Sequence, residues 1–193
     1  MDDLAQMSLA EMVQRVASAE PTPGAGPSLA WTCGLAAALV EMVSAVTIRQ
    51  DPSPRSEIER RRDRATELRH LSLSVADTDA DAYRKVLAVQ RRREEPGHAA
   101  RLREALHAAA DPLVTIVETA GEVTRLAADA YAEVRGGARG EAVTAAVLGA
   151  AVAQTAVALV ELNLAGAPED PRLARVRHVS QNANSDRQRV LTD

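Results

Sequence analysis

The sequence predicts an all-α fold, an antiparallel multi-helix bundle with two apolar central helices and one long helix. Apolar residues make up 46% of the 193 residues, yet there is no Phe and there are only one Trp and two Tyr. A core of small and aliphatic side chains suits closely packed helices better than strands. Long stretches without Pro or Gly, separated by short segments rich in both, support the same interpretation. A chain of this length is expected to form one domain, residues 1–193, with a polar C-terminal helix or tail at 170–193.

The helices follow from hydrophobic periodicity and from the positions of helix-breaking residues. In chain order, helices are expected at residues 3–19, 29–49, 55–95, 98–135, 141–164 and 172–190. The segments that separate them are 21–28, 51–54, 95–97, 136–140 and 168–171. Pro112 is expected to kink or split the fourth helix, because proline lacks the N–H that the helix interior needs.

Charge and cysteine content restrict the class of protein. The formal net charge of −4 argues against nucleic acid as the main partner. Acidic residues flank the arginine clusters at 60–62 and 91–93, which are predicted to be solvated helix faces. Cys33 is the only cysteine, which excludes an internal disulfide and fits a reducing compartment. With no basic segment at the N-terminus, a cytoplasmic location is expected.

The second and fifth predicted helices are apolar enough to be mistaken for membrane spans. Polar residues interrupt both, so we interpret them as central helices of the bundle, with no membrane partner. The fifth also carries small residues at helical spacing: Ala146, Gly149, Ala150, Ala153 and Ala156. Such a face lets another backbone approach closely, either within the chain or in a symmetric dimer.

Asp79 is the most informative polar residue of the long helix. It lies in an apolar stripe that steps by three or four residues: Leu68, Leu71, Val75, Ala82, Val86 and Val89. A carboxylate in such a stripe is costly unless it is paired. It therefore predicts either a buried salt bridge to an arginine or a general acid/base with a shifted pKa. Tyr83, one turn further on, is either a core ring or a hydrogen-bond donor. Asp77 and Asp81 lie off the stripe and are expected to be solvated.

The Pro/Gly segment 21–28 opens directly into the first apolar helix. It is either a simple helix cap or a ligand loop, since glycines allow close approach and a helix start offers free N–H groups. Asn163, near the end of the second apolar helix, is either a helix-end cap or a ligand contact. Cys33 is predicted to be a buried hydrophobe rather than a nucleophile. The four histidines lack metal-ligand spacing, and no nucleotide-binding motif occurs, so no metal or bound nucleotide is predicted.

These features, in this order, resemble the cyclodeaminase/cyclohydrolase family of folate enzymes. That family includes the C-terminal domain of formiminotransferase-cyclodeaminase and stand-alone methenyltetrahydrofolate cyclohydrolases. The matching segments are PGAGP at 23–27, GLAAALVEMV at 34–43 with Thr47 and Ile48, DADAYRKV at 79–86, AAADPL at 108–113 and LVELNL at 159–164. The resemblance covers about residues 5–165.

The resemblance implies a helical homodimer that binds a tetrahydrofolate derivative as substrate near the Pro/Gly loop and the subunit interface, with no tightly bound cofactor. The reaction would be hydrolysis of a 5,10-methenyl bridge or closure of a 5-formimino group with loss of ammonia. Asp79 and Tyr83 are the implied catalytic residues. The implied ligand-binding residues are Pro23, Gly24, Gly26, Ser28, Arg49, Glu141 and Asn163, with Arg49 as the partner of the folate glutamate.

Five features depart from the family pattern. The basic pair expected after Thr47 and Ile48 is present only as Arg49 followed by Gln50. Ala25 and Pro27 replace a glycine and a serine of the loop, and Leu159 replaces an asparagine. Residues 136–142 replace a turn that carries Asn, Ser and Asp, with Glu141 in place of the Asp. Two alternatives therefore stay open. One is a divergent enzyme that closes, opens or eliminates a C–N bond of a non-folate molecule, and the other is a non-catalytic helical dimer.

Overall fold

The computed structural model describes residues 4–50, 56–134 and 136–192, and this part of the chain contains helices and turns but no strand. Its α-helices are α1 (Leu9–Val16), α2 (Ala25–Gln50), α3 (Ser56–Gln90), α4 (His98–Glu133), α5 (Arg139–Asn163) and α6 (Pro171–Thr192). Short 3-10 turns lie at Leu4–Gln6 and Gly136–Ala138. The all-α prediction is confirmed.

The N-terminal region differs from the predicted single helix over 3–19. Ser8 forms a capping box with Glu11, in which the Glu11 amide donates to Ser8 Oγ and the Ser8 amide donates to the Glu11 carboxylate. This cap starts α1 at Leu9 and separates it from the preceding 3-10 turn. The apolar periodicity was present, but it did not reveal the break that the cap imposes.

The first apolar helix begins inside the segment that was predicted to be a loop. α2 starts at Ala25, so Gly26 and Pro27 belong to its first turn. Proline is tolerated there because the first N–H groups of a helix have no intrahelical partner. The predicted break at 51–54 lies outside the described residues. The loop-to-helix boundary is therefore four residues earlier than the apolar run suggested.

The two long helices run antiparallel through a short connection. α3 ends at Gln90, and Gly97, with φ of 75°, occupies the left-handed conformation that precedes α4. α4 continues through Pro112 without a break, so the predicted splitting of this helix is wrong. The helix tolerates the lost hydrogen bond because both flanking turns pack into the core: Ala110, Leu113 and Val114 are buried.

The core lies between α2, α3, α4 and α5, and α6 covers α4 and α5. Ala146, Gly149, Ala150, Ala153 and Ala156 are all buried. A Cβ on Gly149 would overlap Thr124 Oγ1 and lie 3.2 Å from the Ala120 carbonyl oxygen. The small-residue face is therefore buried within the chain, and at Gly149 it lies against α4, which is the intrachain alternative that the sequence offered.

By length and composition alone, two helical segments could each cross a membrane: Ala25–Gln50 and Gly136–Asn163. Both contribute buried residues to the core, among them Ala30, Val40, Ala146 and Val160.

Candidate functional site

A cavity of about 460 Å³ lies where α2 begins and α5 ends. The residues that line it come from the N-terminal segment, α2, α3, α4 and α5: Pro21, Thr22, Gly24, Ala25, Gly26, Pro27, Asp79, Ala80, Tyr83, Val86, Gln90, Leu106, Ala109, Leu113, Leu159, Leu162 and Asn163. Its volume is typical of small-molecule sites, which are mostly apolar with a few convergent polar groups.

Asp79 is the only charged residue that lines this cavity among the described residues. Its side chain is buried, with 8% relative exposure, and it forms no hydrogen bond or ion pair with the described part of the chain. Burial raises the pKa of this carboxyl from 3.8 to about 6. Among the described residues, no arginine forms the buried salt bridge that was the predicted alternative for Asp79.

The buried face of α3 differs slightly from the predicted stripe. Leu71 is 40% exposed, and Ser72 takes its place in the core, where its hydroxyl donates to the Leu68 carbonyl. Asp77, expected to be solvated, is half-buried and accepts a hydrogen bond of 2.9 Å from the Leu4 amide. Its role is to tie the N-terminal turn to α3.

Gly26 explains how a helix start can lie directly against a carboxylate. A Cβ at this position would overlap the carboxyl group of Asp79. Any other residue type would have to displace the acid from the cavity. In the first turn of α2, Ala25 and Gly26 also keep amide N–H groups that no helical carbonyl accepts, whereas Pro27 has none. The cavity therefore combines an unpaired carboxyl with backbone donors.

Tyr83 and Asn163 complete the polar part of the cavity wall. Tyr83 lies one turn after Asp79 on the same face of α3 and is 40% exposed. Asn163 is the last residue of α5. Facing them, Leu106, Leu113 and Leu159 supply an apolar wall. The three polar residues that the sequence singled out, two on α3 and one on α5, thus line one cavity.

Ser28 and Pro23 lie next to this cavity but do not line it. The Ser28 hydroxyl donates to the Gly24 carbonyl oxygen at 2.8 Å, within the first turn of α2. Pro23 is buried and follows a cis peptide bond from Thr22. Gly24 and Gly26 line the cavity directly.

Arg49 and Glu141 lie at the opposite end of the bundle. Arg49 follows Gly26 by 23 residues in one helix, which places it about 35 Å away along the axis. Glu141 is in the first turn of α5, and its Oε2 atom is buried without a hydrogen-bond partner in the described structure. These two predicted ligand-binding residues are therefore not brought to the cavity within one chain.

Sequence reasoning missed the part of the wall that α4 supplies, including Leu106, Ala109 and Leu113. Nothing in their local sequence distinguishes them from core residues, and only the antiparallel packing of α3 and α4 selects them. Val86 was in the predicted stripe, and Gln90 continues it by one turn. Among the described residues, no group of three or more His, Cys, Asp or Glu side chains could hold a metal ion.

Both the sequence and the fold of this chain are similar to those of known proteins. The sequence model described as formiminotransferase-cyclodeaminase matches residues 8–182. The crystal structure of a formiminotetrahydrofolate cyclodeaminase from Thermotoga maritima superposes with a TM-score of 0.84 and 24% sequence identity, covering 96% of this chain and 94% of that one. No curated protein sequence matches.

Proposed function

The chain belongs to the formiminotransferase-cyclodeaminase family, and from this premise we propose that it acts on a one-carbon-substituted tetrahydrofolate as a cyclodeaminase or cyclohydrolase. The observation that carries the proposal is the unpaired Asp79 carboxyl in a cavity shared with Tyr83 and Asn163. With a pKa of about 6, the Asp79 carboxyl has both protonation states available near neutral pH, so it can accept and donate a proton.

In the deamination, N10 of the folate attacks the carbon of a protonated 5-formimino group and forms the second C–N bond. The Asp79 carboxylate accepts the proton that N10 loses. The resulting acid then donates it to the amino group of the tetrahedral intermediate, which leaves as ammonia. The product is the 5,10-methenyl cation, so the proton that Asp79 accepts is the proton that it returns.

In the hydrolysis, water adds to the methenyl carbon while Asp79 accepts one of its protons. Return of that proton to the departing ring nitrogen breaks the C–N bond, and loss of the hydroxyl proton to solvent leaves a neutral formyl group, so the hydrolysis releases one proton overall. The amide of Asn163 and the phenol of Tyr83 would orient the pterin and the attacked carbon in either reaction. Backbone N–H groups of the first turn of α2 would stabilise negative charge on an oxygen that develops there.

The test is the absorbance of the 5,10-methenyl chromophore, which appears in the deamination and disappears in the hydrolysis. We expect one of the two changes with 5-formiminotetrahydrofolate or 5,10-methenyltetrahydrofolate. We also expect kcat/KM to rise with pH through an apparent pKa of about 6 as Asp79 ionises. Asp79→Asn should lower kcat about 10²- to 10⁴-fold. An unchanged rate in this variant would rule out the assigned acid/base.

Three positions in or beside the cavity offer fewer free hydrogen-bonding groups than the family pattern does, and they favour a second substrate class. The loop serine is Pro27, the hydroxyl of Ser28 is occupied by the Gly24 carbonyl, and Leu159 presents an alkyl group to the cavity. A cavity with fewer hydrogen-bonding groups suits a less polar ring than a pterin. If no folate binds while Asp79 and Tyr83 still line an open cavity, C–N chemistry on a different small molecule becomes the better proposal. The open cavity itself argues against a purely structural protein.

We also propose that the chain forms a symmetric homodimer through the outer face of α2 and α5. Leu35 and Met42 of α2 are 58% and 48% exposed, and Ala151 and Ala158 of α5 are exposed beside them. An apolar face of this kind is typical of an interface between copies.

Such a dimer would also account for Arg49, a predicted ligand-binding residue that lies far from the cavity within one chain. A two-fold axis near Ala38, midway along α2, would place residue 49 of one copy opposite residue 27 of the other. Arg49 of the partner subunit would then approach the cavity. Light scattering should give twice the monomer mass, and Met42→Glu should halve it. The control Leu71→Glu changes an exposed leucine of α3 and should leave the mass unchanged. A monomeric wild type would refute this proposal.

A further inference from the structure

The cavity is elongated along α3. Asp79, Tyr83, Val86 and Gln90 line it from one face of that helix at steps of three or four residues. Asp79 and Gln90 are eleven residues apart, which corresponds to about 16 Å along the helix axis. A ligand whose reacting atoms lie at Asp79 can therefore extend for three helical turns toward Gln90.

The outer end of the cavity is the end at which α3 stops. Gln90 is the last residue of α3, and the connection to α4 that follows it contains Arg91 and Arg93. Both arginines are exposed, and neither forms an ion pair with the described residues. The arginine cluster at 91–93 therefore follows directly after the residue that lines this end of the cavity.

Arg103 lies in α4, near the same end of the cavity. It precedes the cavity-lining Leu106 by one turn of α4, toward the α3–α4 connection. Its Cδ atom lies 3.8 Å from the position of a Cβ on Gly166, three residues after Asn163. Arg103 is therefore placed between the turn of α4 that carries Leu106 and the turn that follows α5.

The neighbouring ion pairs leave the guanidinium of Arg103 available. Asp170, four residues after Gly166, forms an ion pair with Arg172 at 2.8 Å. Arg101 is on the same helix, but it pairs with Glu95 at 3.0 Å and donates to the Pro96 carbonyl. Arg103 forms no hydrogen bond or ion pair with the described part of the chain. The Arg103 side chain is exposed.

We propose that Arg103, supported by the charges of Arg91 and Arg93, binds an anionic tail of the substrate at the outer end of the cavity. This inference rests on the proposed function, for which the tail is the glutamate of the folate with its two carboxylates. It assigns the glutamate to Arg103 of the same chain, whereas Arg49 lies about 35 Å away in that chain and could reach the cavity only from the partner subunit. A planar guanidinium can hold a carboxylate through two parallel hydrogen bonds.

The test compares two ligands by calorimetry with the full chain: 5-formyltetrahydrofolate and its glutamate diamide, in which both tail carboxylates are neutral. Wild type should bind the acid about tenfold more tightly than the diamide. Arg103→Gln should weaken binding of the acid about tenfold and leave binding of the diamide unchanged. Arg103→Lys should retain part of the preference, and added salt should weaken binding of the acid only.

The matched control is Arg101→Gln, which removes an arginine two positions away whose side chain is already paired. It should bind both ligands like the wild type, and the melting temperatures of all variants should show that they are folded. Equal loss for both ligands in Arg103→Gln, or the same loss in Arg101→Gln, would overturn the tail assignment while folate binding stands. If the wild type binds neither ligand, the proposed function itself fails.

Discussion

Replacing Asp79 by asparagine should make the protein more stable at neutral pH while it lowers kcat about 10²- to 10⁴-fold. Burial raises the pKa of this carboxyl from 3.8 to about 6, and 8% of the residue is exposed. Each unit of pKa corresponds to about 1.36 kcal/mol, so the ionised carboxylate lowers the free energy of unfolding by about 3 kcal/mol. Asn has nearly the same shape and carries no charge, so the variant should recover that amount at pH 8.

The sign and the pH window follow from proton linkage. Because the folded state binds the proton more tightly, the stabilising effect of the neutral acid is complete below pH 3.8 and is lost as the pH rises to about 6. The advantage of Asp79→Asn should therefore be about 3 kcal/mol at pH 8 and about half of that at pH 5. For a chain of this size, the value at pH 8 corresponds to about 6–12 °C in melting temperature.

Urea unfolding at pH 8 and pH 5, followed by circular dichroism, measures both values. Asp77→Asn is the matched control, an identical chemical change two residues away in α3. Its amide oxygen can still accept the hydrogen bond from the Leu4 amide, so we expect a change below about 0.5 kcal/mol at either pH. A variant at position 79 that is no more stable at pH 8 would refute the reasoning. It would mean that the N–H groups of α2 compensate the charge.

Two glycines give further predictions that separate the site from the core. Gly26→Ala should displace the Asp79 carboxyl and lower kcat/KM at least tenfold. The control Gly34→Ala, in the same helix, adds a Cβ that meets only ordinary van der Waals contacts, so this variant should stay active. Equal activity of the two variants would argue against the close contact between Gly26 and Asp79. Gly149→Ala should lower the free energy of unfolding by about 1–3 kcal/mol, because its Cβ would overlap Thr124 Oγ1, and thermal melting will contradict this if the melting temperature does not fall.

The fold could be predicted from the sequence because its determinants are local. Helical periodicity, Pro/Gly breaks and the scarcity of aromatic residues predicted helices close to the observed α2 to α6. Asp79 could be selected for the same reason, since one carboxylate in an apolar stripe is visible within a single helix. The errors also have local causes. The capping box at Ser8 ended a periodic segment early, and core packing on both sides kept α4 continuous through Pro112.

The tertiary structure decided which of these residues act together. Periodicity assigns a residue to a face of its own helix, but the register between helices depends on packing over the whole core. That register brings Asn163 into the same cavity as Asp79, leaves Arg49 at the far end of the bundle within the chain and places Arg103 beside Gly166. The tertiary structure also shows that Asp79 has no ion-pair partner among the described residues. The sequence thus determined the helices and the unusual acid, and only the packing of helices against one another determined the site around it.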